Sequence, residues 1–176
     1  MKTNIALIGF MGTGKSAVGK VLAEKLGRKF VEMDRLIEEI AGKPIPDIFQ
    51  QDGEIAFREL EIEATKKVAH GSNQVIACGG GIVLNNINID RLRETSSIIY
   101  LKASPITILQ RTSGGENERP LLDVADPARQ IQELLRFRKP FYERAADITI
   151  NTSRLSTERV ASQIIDRLKD DEGFNL

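Results

Sequence analysis

The octapeptide Gly9-Phe10-Met11-Gly12-Thr13-Gly14-Lys15-Ser16 constrains this chain more than any other stretch. It follows the apolar run Ile5-Ala6-Leu7-Ile8 and opens into a segment where Val18, Val21, Leu22 and Leu26 recur at helical spacing. Strand, glycine-rich loop and helix, with G-x-x-x-x-G-K-S at the joint, make the Walker A pattern. The glycines let consecutive backbone N–H groups turn toward one anion, and the helix N-terminus adds partial positive charge. Lys15 can then reach the β- and γ-phosphates and the Ser16 hydroxyl can ligate Mg²⁺, with Gly12, Thr13, Gly14 and Ala17 completing the cradle. The bland alternative is a glycine turn that binds nothing. Motif and context together predict a nucleoside triphosphate site.

A chain of 176 residues suits one α/β domain spanning 1–176. Lys plus Arg and Asp plus Glu balance at 25 each, so no global field favours nucleic acid and any anion site must be local. The single cysteine, Cys78, permits no intrachain disulfide and suggests a reducing compartment. With His70 the only histidine, near the end of an expected helix, a small core residue is the favoured reading of Cys78 over a nucleophile. Lys2 and the apolar run after it faintly imitate a signal peptide, but Gly12 to Lys15 interrupt it without a cleavage pattern. No stretch approaches the length of apolar residues a membrane span needs. The expectation is a soluble, cytoplasmic monomer.

Patterning predicts strands at 5–8, 28–33, 74–78, 97–101 and 148–150. Helices are expected from Asp34 to Gly42, around Asp47 to Gln51, from Glu54 to His70, over Asp90 to Glu94, from Pro105 to Arg111, from Pro127 to Ala146 with a break near Pro140, and from Ser156 or Thr157 to Leu168. In the long helix from Glu54, Phe57, Leu60, Ala64 and Val68 form the apolar stripe. The tail from Lys169 is expected to fray. Strands alternating with helices imply right-handed crossovers and a three-layer α/β/α domain on a five-stranded parallel sheet.

Walker A alone does not choose among nucleotide-binding classes. No N/T-K-x-D tetrapeptide is present to read guanine, and the strand from Val75 ends in glycines rather than an acid. A compact small-molecule kinase is what remains. In such sheets ligands collect beyond the carboxyl ends of the strands. Besides the phosphate loop, Glu32-Met33-Asp34, Gly79-Gly80-Gly81 and the polar stretch 113–123 with Arg119 fall there. Asp34 can orient an acceptor hydroxyl or simply cap a helix. The triplet can admit a ligand to bare backbone or be a flexible turn. Arg58 pairs with Glu54 at i,i+4, and Arg138 sits among Arg136, Lys139 and Arg144, so a solvated face is the local reading of both. Arg119 in a glycine-rich loop suggests a phosphate clamp.

Taken together, these segments resemble the shikimate kinase family. The phosphate loop with its Gly-Phe-Met lead-in, Asp34, Phe57-Arg58-Glu59-Leu60-Glu61 against F-R-x-x-E, the glycine triplet, Arg119-Pro120-Leu121-Leu122, and Arg138-Lys139-Pro140-Phe141-Tyr142 against R-x-P-x-Y occur in the family's order and spacing. The resemblance implies a nucleoside-monophosphate-kinase-like fold with a mobile lid at 113–123 and a substrate region at 34–62. It implies transfer of the ATP γ-phosphoryl group to the 3-hydroxyl of shikimate, with Mg²⁺, in chorismate biosynthesis. By the same resemblance Lys15, Asp34 and Arg119 are catalytic, and Asp34, Arg58, Gly79, Gly80, Gly81 and Arg138 bind substrate. Arg111, Arg119 and Arg154 join the phosphate loop at ATP, Arg111 and Arg154 flanking the adenine.

One position departs from the pattern: the family shows D-x-D where this chain has Glu32-Met33-Asp34, so Glu32 approaches the metal through water only if its extra methylene is accommodated. A related kinase acting on gluconate or a nucleoside monophosphate is the alternative enzyme. A domain that binds nucleotide without turnover is the alternative class.

Overall fold

The computed structural model describes residues 1–113, 122 and 124–176. Five parallel strands, β1 (Asn4–Ile8), β2 (Lys29–Glu32), β3 (Gln74–Ala77), β4 (Ser96–Lys102) and β5 (Ile148–Asn151), form one sheet in the order β2-β3-β1-β4-β5. The strand carrying the phosphate loop is thus central. Its alternation sorts the core: Ala6 and Ile8 face one buried cluster, Ile5 and Leu7 the other. Buried on both faces, the inner strands carry the apolar runs Ile5 to Ile8, Val75 to Ala77 and Ile98 to Leu101 behind buried polar first residues.

Helices α1 (Lys15–Leu26) and α8 (Thr157–Lys169) cover one face through Val18, Leu22, Val160 and Ile164. The other face carries α2 (Met33–Ala41), α3 (Ile45–Gln51), α4 (Gly53–Ala69), α5 (Asn86–Thr95), α6 (Pro105–Thr112) and α7 (Pro127–Ala145). This is the expected three-layer arrangement.

Three local expectations change. Helix α5 begins at Asn86 rather than Asp90, because Asn85 accepts a hydrogen bond from Ile87 N at 3.1 Å and caps it. Helix α7 runs through Pro140 unbroken. Pro140 is exposed, so the hydrogen bond it removes falls on the solvent side, where water can replace it.

The tail is anchored rather than frayed. Lys2 N donates to Gly173 O and Asn175 N to Lys2 O, each at 2.9 Å. The Phe174 ring is 7% exposed and lies beneath the Arg28 guanidinium, whose Nη1 and Nη2 donate to Thr3 O at 2.7 Å and Asn175 O at 2.6 Å.

Candidate active site

The loop after β1 needs glycine in the left-handed region to bring its amides around, and Gly14 at φ +95° ends the turn as the residue capping α1. Lys15 folds back over the loop, its Nζ donating to Gly9 O at 2.8 Å and Phe10 O at 2.9 Å. Thr13 Oγ1 donates to Phe10 O at 2.8 Å, so this buried hydroxyl braces the loop. Ser16, in the first turn of α1, donates to Glu32 Oε1 at 2.6 Å. The longer side chain at position 32 thereby touches the phosphate loop directly.

That pair bears on a metal. A serine hydroxyl with a carboxylate beside it is an all-oxygen donor set, suited to Mg²⁺, which keeps several waters and takes its remaining ligands from substrate phosphates. Among the described residues no group of three or more His, Cys, Asp or Glu could hold a metal ion.

Asp34 lies in the first turn of α2, whose cap is Glu32, and no side-chain capping bond is made there. Asp34 is open to solvent at the cleft mouth, yet crowding by the cleft walls strips hydration from the carboxyl and raises its pKa. Lys15 opposes the rise; Glu32 and Glu38 add to it.

Helix α4 packs the expected stripe of Phe57, Leu60, Ala64 and Val68 against the core, Leu60 only partly buried, and buries Thr65 and the charged Glu61 beside it. Glu61 is 1% exposed, and its carboxyl is pushed up by desolvation and by Asp34 while Arg58 and Arg138 pull it down. Arg58 Nη1 meets Glu61 Oε1 at 3.0 Å, and its Nη2 meets Glu54 Oε1 at 3.3 Å. The expected Glu54 pair exists, but Arg58 is no free surface charge.

Arg138 departs further from the solvated-face reading. It is 6% exposed, its guanidinium lies over the Phe10 ring, and its Nε has no partner among the described residues. Tyr142, one turn on along the same face of α7, stacks on Tyr100 of β4 and donates to Gly80 O at 2.5 Å. That anchor delivers Arg138 into the cleft.

The triplet is where these groups meet. A β-carbon at Gly79 would stand 3.3 Å from both Asp34 Oδ1 and Glu61 Oε2. One at Gly80 would stand 3.6 Å from Arg138 Nη1 and from the loop's Gly9 O. One at Gly81 would fall 2.6 Å from Arg58 Nη1. The three glycines therefore floor a cleft walled by a carboxylate, two guanidinia and the phosphate loop.

On the far side of that loop, a pocket of about 270 Å³ is lined by Gly12, Ala17, Arg111, Thr152, Leu155 and Thr157 among others. Arg154 is exposed between two of its lining residues. Arg119, and all of the 113–123 assignment except Ser113 and Leu122, lie outside the described residues.

Two candidates separate from the cleft chemistry. Cys78 is 3% exposed, and burial drives its thiol pKa far above the ordinary range, leaving a neutral core residue. His70 is exposed just beyond the C-terminal end of α4, with its Nδ1 2.6 Å from Lys66 O. Among the described residues no helix is long and apolar enough to cross a membrane.

Residues 11–169 match a family model described as shikimate kinase. The chain belongs to the shikimate kinase family. It is 46% identical over 168 residues to shikimate kinase of Symbiobacterium thermophilum, covering 95% of this chain and 97% of that one. Shikimate kinase of Caldanaerobacter subterraneus subsp. tengcongensis is 49% identical over 162 residues, covering 92% and 94%. The structure of shikimate kinase from Acinetobacter baumannii in complex with shikimate superposes with a TM-score of 0.92 at 35% identity, over 98% of this chain and 96% of that one. Shikimate kinases are ATP-dependent kinases.

Glu61 escaped the sequence reading as a site residue. Its signal was available: it stands four residues after Phe57 and three before Ala64, on the buried arc of α4.

Proposed function

We propose that this protein transfers the γ-phosphoryl group of ATP to the 3-hydroxyl of shikimate, giving shikimate 3-phosphate and ADP on the way to chorismate. The observation that carries this is the meeting of Asp34, Arg58 and Arg138 at Gly79–Gly81, beside the phosphate loop. Two guanidinium forks suit a small carboxylic acid, and a carboxylate suits its hydroxyl.

Arg58 and Arg138 hold the substrate carboxylate, and Gly79, Gly80 and Gly81 let the ring come down on backbone. Asp34 orients the 3-hydroxyl and accepts its proton as the oxygen attacks phosphorus. Its raised pKa makes it a better acceptor than an ordinary aspartate. Phosphoryl transfer needs position and charge neutralisation more than covalent catalysis. Lys15, released from Gly9 O and Phe10 O, turns to the β- and γ-phosphates, and the amides of Gly12 to Ala17 cradle them. Ser16 would ligate Mg²⁺, with Glu32 acting on the ion through Ser16 and water, and the bound ion would neutralise phosphate charge. Arg119 closes over the phosphates with the lid at 113–123. Arg111 and Arg154 flank the adenine. The unit is a single cytoplasmic domain with its substrate region at 34–62, acting as a monomer on shikimate and ATP, without nucleic acid or membrane.

ADP production measured with Mg²⁺ and each candidate acceptor tests the reading. Strong stimulation by shikimate, and none by gluconate or a nucleoside monophosphate, is expected. Stimulation by another acceptor alone, or nucleotide binding without any turnover, would overturn it.

A further inference from the structure

Thr152 has no place in the machinery above, yet it is 2% exposed where the chain leaves β5 and meets the phosphate loop. A threonine hydroxyl has one proton and two lone pairs. The proton goes to Thr13 O at 2.9 Å, with Lys102 O a longer second acceptor at 3.3 Å. A lone pair receives Arg111 Nη1 at 3.1 Å, and the Thr152 carbonyl receives Arg111 Nη2 at 2.9 Å. Arg111 Nη1 also donates to Gly12 O at 3.2 Å.

The fork of Arg111 thus closes on both the side chain and the carbonyl of one residue, with a third point on the phosphate loop. Arg111 is otherwise exposed, and an unheld arginine carries rotamer freedom that a ligand would have to remove. Held at three points, its guanidinium presents a preset plane along the wall of the pocket shared with Ala17, Leu155 and Thr157. The same hydroxyl that sets this plane grips the carbonyl of Thr13 in the loop.

We propose that Thr152 is a positioning residue for the donor nucleotide, fixing the Arg111 plane against the purine and tying it to the phosphate loop. Base and phosphates are then gripped by one rigid unit. This rests on reading the Arg111 pocket as the nucleotide-base site.

Calorimetric titration with ADP and with inorganic tripolyphosphate, which lacks a base, tests it. Thr152→Val should weaken ADP about tenfold, the scale of one lost buried hydrogen bond to a charged group, and tripolyphosphate far less, with the KM for shikimate unchanged. Thr152→Ser should restore ADP binding. Arg111→Lys, which has no fork, should weaken ADP similarly, and adding Thr152→Val to it should cost little more. Unchanged ADP affinity in Thr152→Val, equal weakening of both ligands, or failure of the serine variant to recover overturns the proposal. Should Thr152→Val not fold, the other two single variants decide: ADP affinity kept in Thr152→Ser and lost in Arg111→Lys is expected, and any other pairing overturns it. Failure of the unmodified protein to bind ADP would instead overturn the nucleotide reading itself.

Discussion

The Ser16 hydroxyl donates to Glu32 Oε1 at 2.6 Å, joining the first turn of α1 to the end of β2. With its proton committed to Glu32, the Ser16 oxygen keeps its lone pairs for a cation. An aspartate at position 32 would have to close one methylene of distance, or act through water. Partners that orient a metal ligand in this way commonly contribute about 10–100-fold to metal affinity. Glu32→Gln should therefore weaken Mn²⁺ binding to the ADP-loaded protein by that order, read by electron paramagnetic resonance. Glu32→Asp should lose less. Unaltered Mn²⁺ affinity in Glu32→Gln would remove Glu32 from the metal site.

Gly81→Ala tests the floor of the cleft. The new β-carbon would lie 2.6 and 2.7 Å from the two terminal nitrogens of Arg58. The far end of a long side chain can move aside, so the fold should survive with a melting temperature close to the original. The guanidinium cannot remain where it is, and the KM for shikimate should rise about tenfold or more while that for ATP holds. A crystal structure of the variant with Arg58 undisplaced would contradict the steric argument.

Arg58→Ala leaves Glu61 buried without its main cation. Desolvation already raises the Glu61 pKa, and Arg58 is the chief influence pulling it back. Without Arg58 the folded-state value rises further, so ionised Glu61 becomes the costly form and its protonation relieves the cost. A carboxyl raised on folding contributes stability at low pH and loses it as pH climbs through the raised value. The variant should therefore be most destabilised near neutral pH, by about 1–3 kcal/mol, and its deficit should shrink as pH falls toward the ordinary carboxylate range. Urea melts of both proteins at several pH values would show this. A deficit constant with pH would mean that Glu61 is not the group left stranded.

Phe174→Ala addresses the C-terminal anchor. The ring is buried in the same cluster as Ile5 and Leu168 and is roofed by Arg28. Removing a buried aromatic ring costs about 3–5 kcal/mol when the site cannot collapse. A tail free to shift should place the loss at the low end, about 3 kcal/mol. The anchor sits at the amino-terminal end of β1, opposite the phosphate loop, so kcat should be preserved. Equal stability of variant and parent would return the tail to the frayed state its composition suggests.

Much of the fold was legible because its signals are local. The three inner strands centre on short apolar runs, α1 follows a glycine-rich turn, and Ser104, Asp126 and Ser156 cap α6, α7 and α8 with side-chain acceptors. The motif and its neighbours marked the phosphate loop, Asp34, the glycine triplet and the arginines as candidates. Local charge pattern misjudged Arg58 and Arg138, since neighbours in sequence do not say which face of a helix another element will cover. Arg138 sits among basic residues along the chain, yet the turn of α7 that carries it also carries Tyr142, whose hydroxyl binds Gly80 and draws that face against the cleft.

By itself, then, the sequence determined the order of elements, the phosphate loop and the set of residues able to handle an acid and a triphosphate. Those follow from short-range backbone geometry and residue chemistry. Tertiary structure decided which of them meet: Glu61 buried behind Arg58, Glu32 in direct contact with Ser16, Thr152 closing the fork of Arg111, and Phe174 returned to β1. Each joins residues on different turns or on segments far apart in the chain. Such contacts depend on how the layers pack across the sheet and on how much water that packing removes.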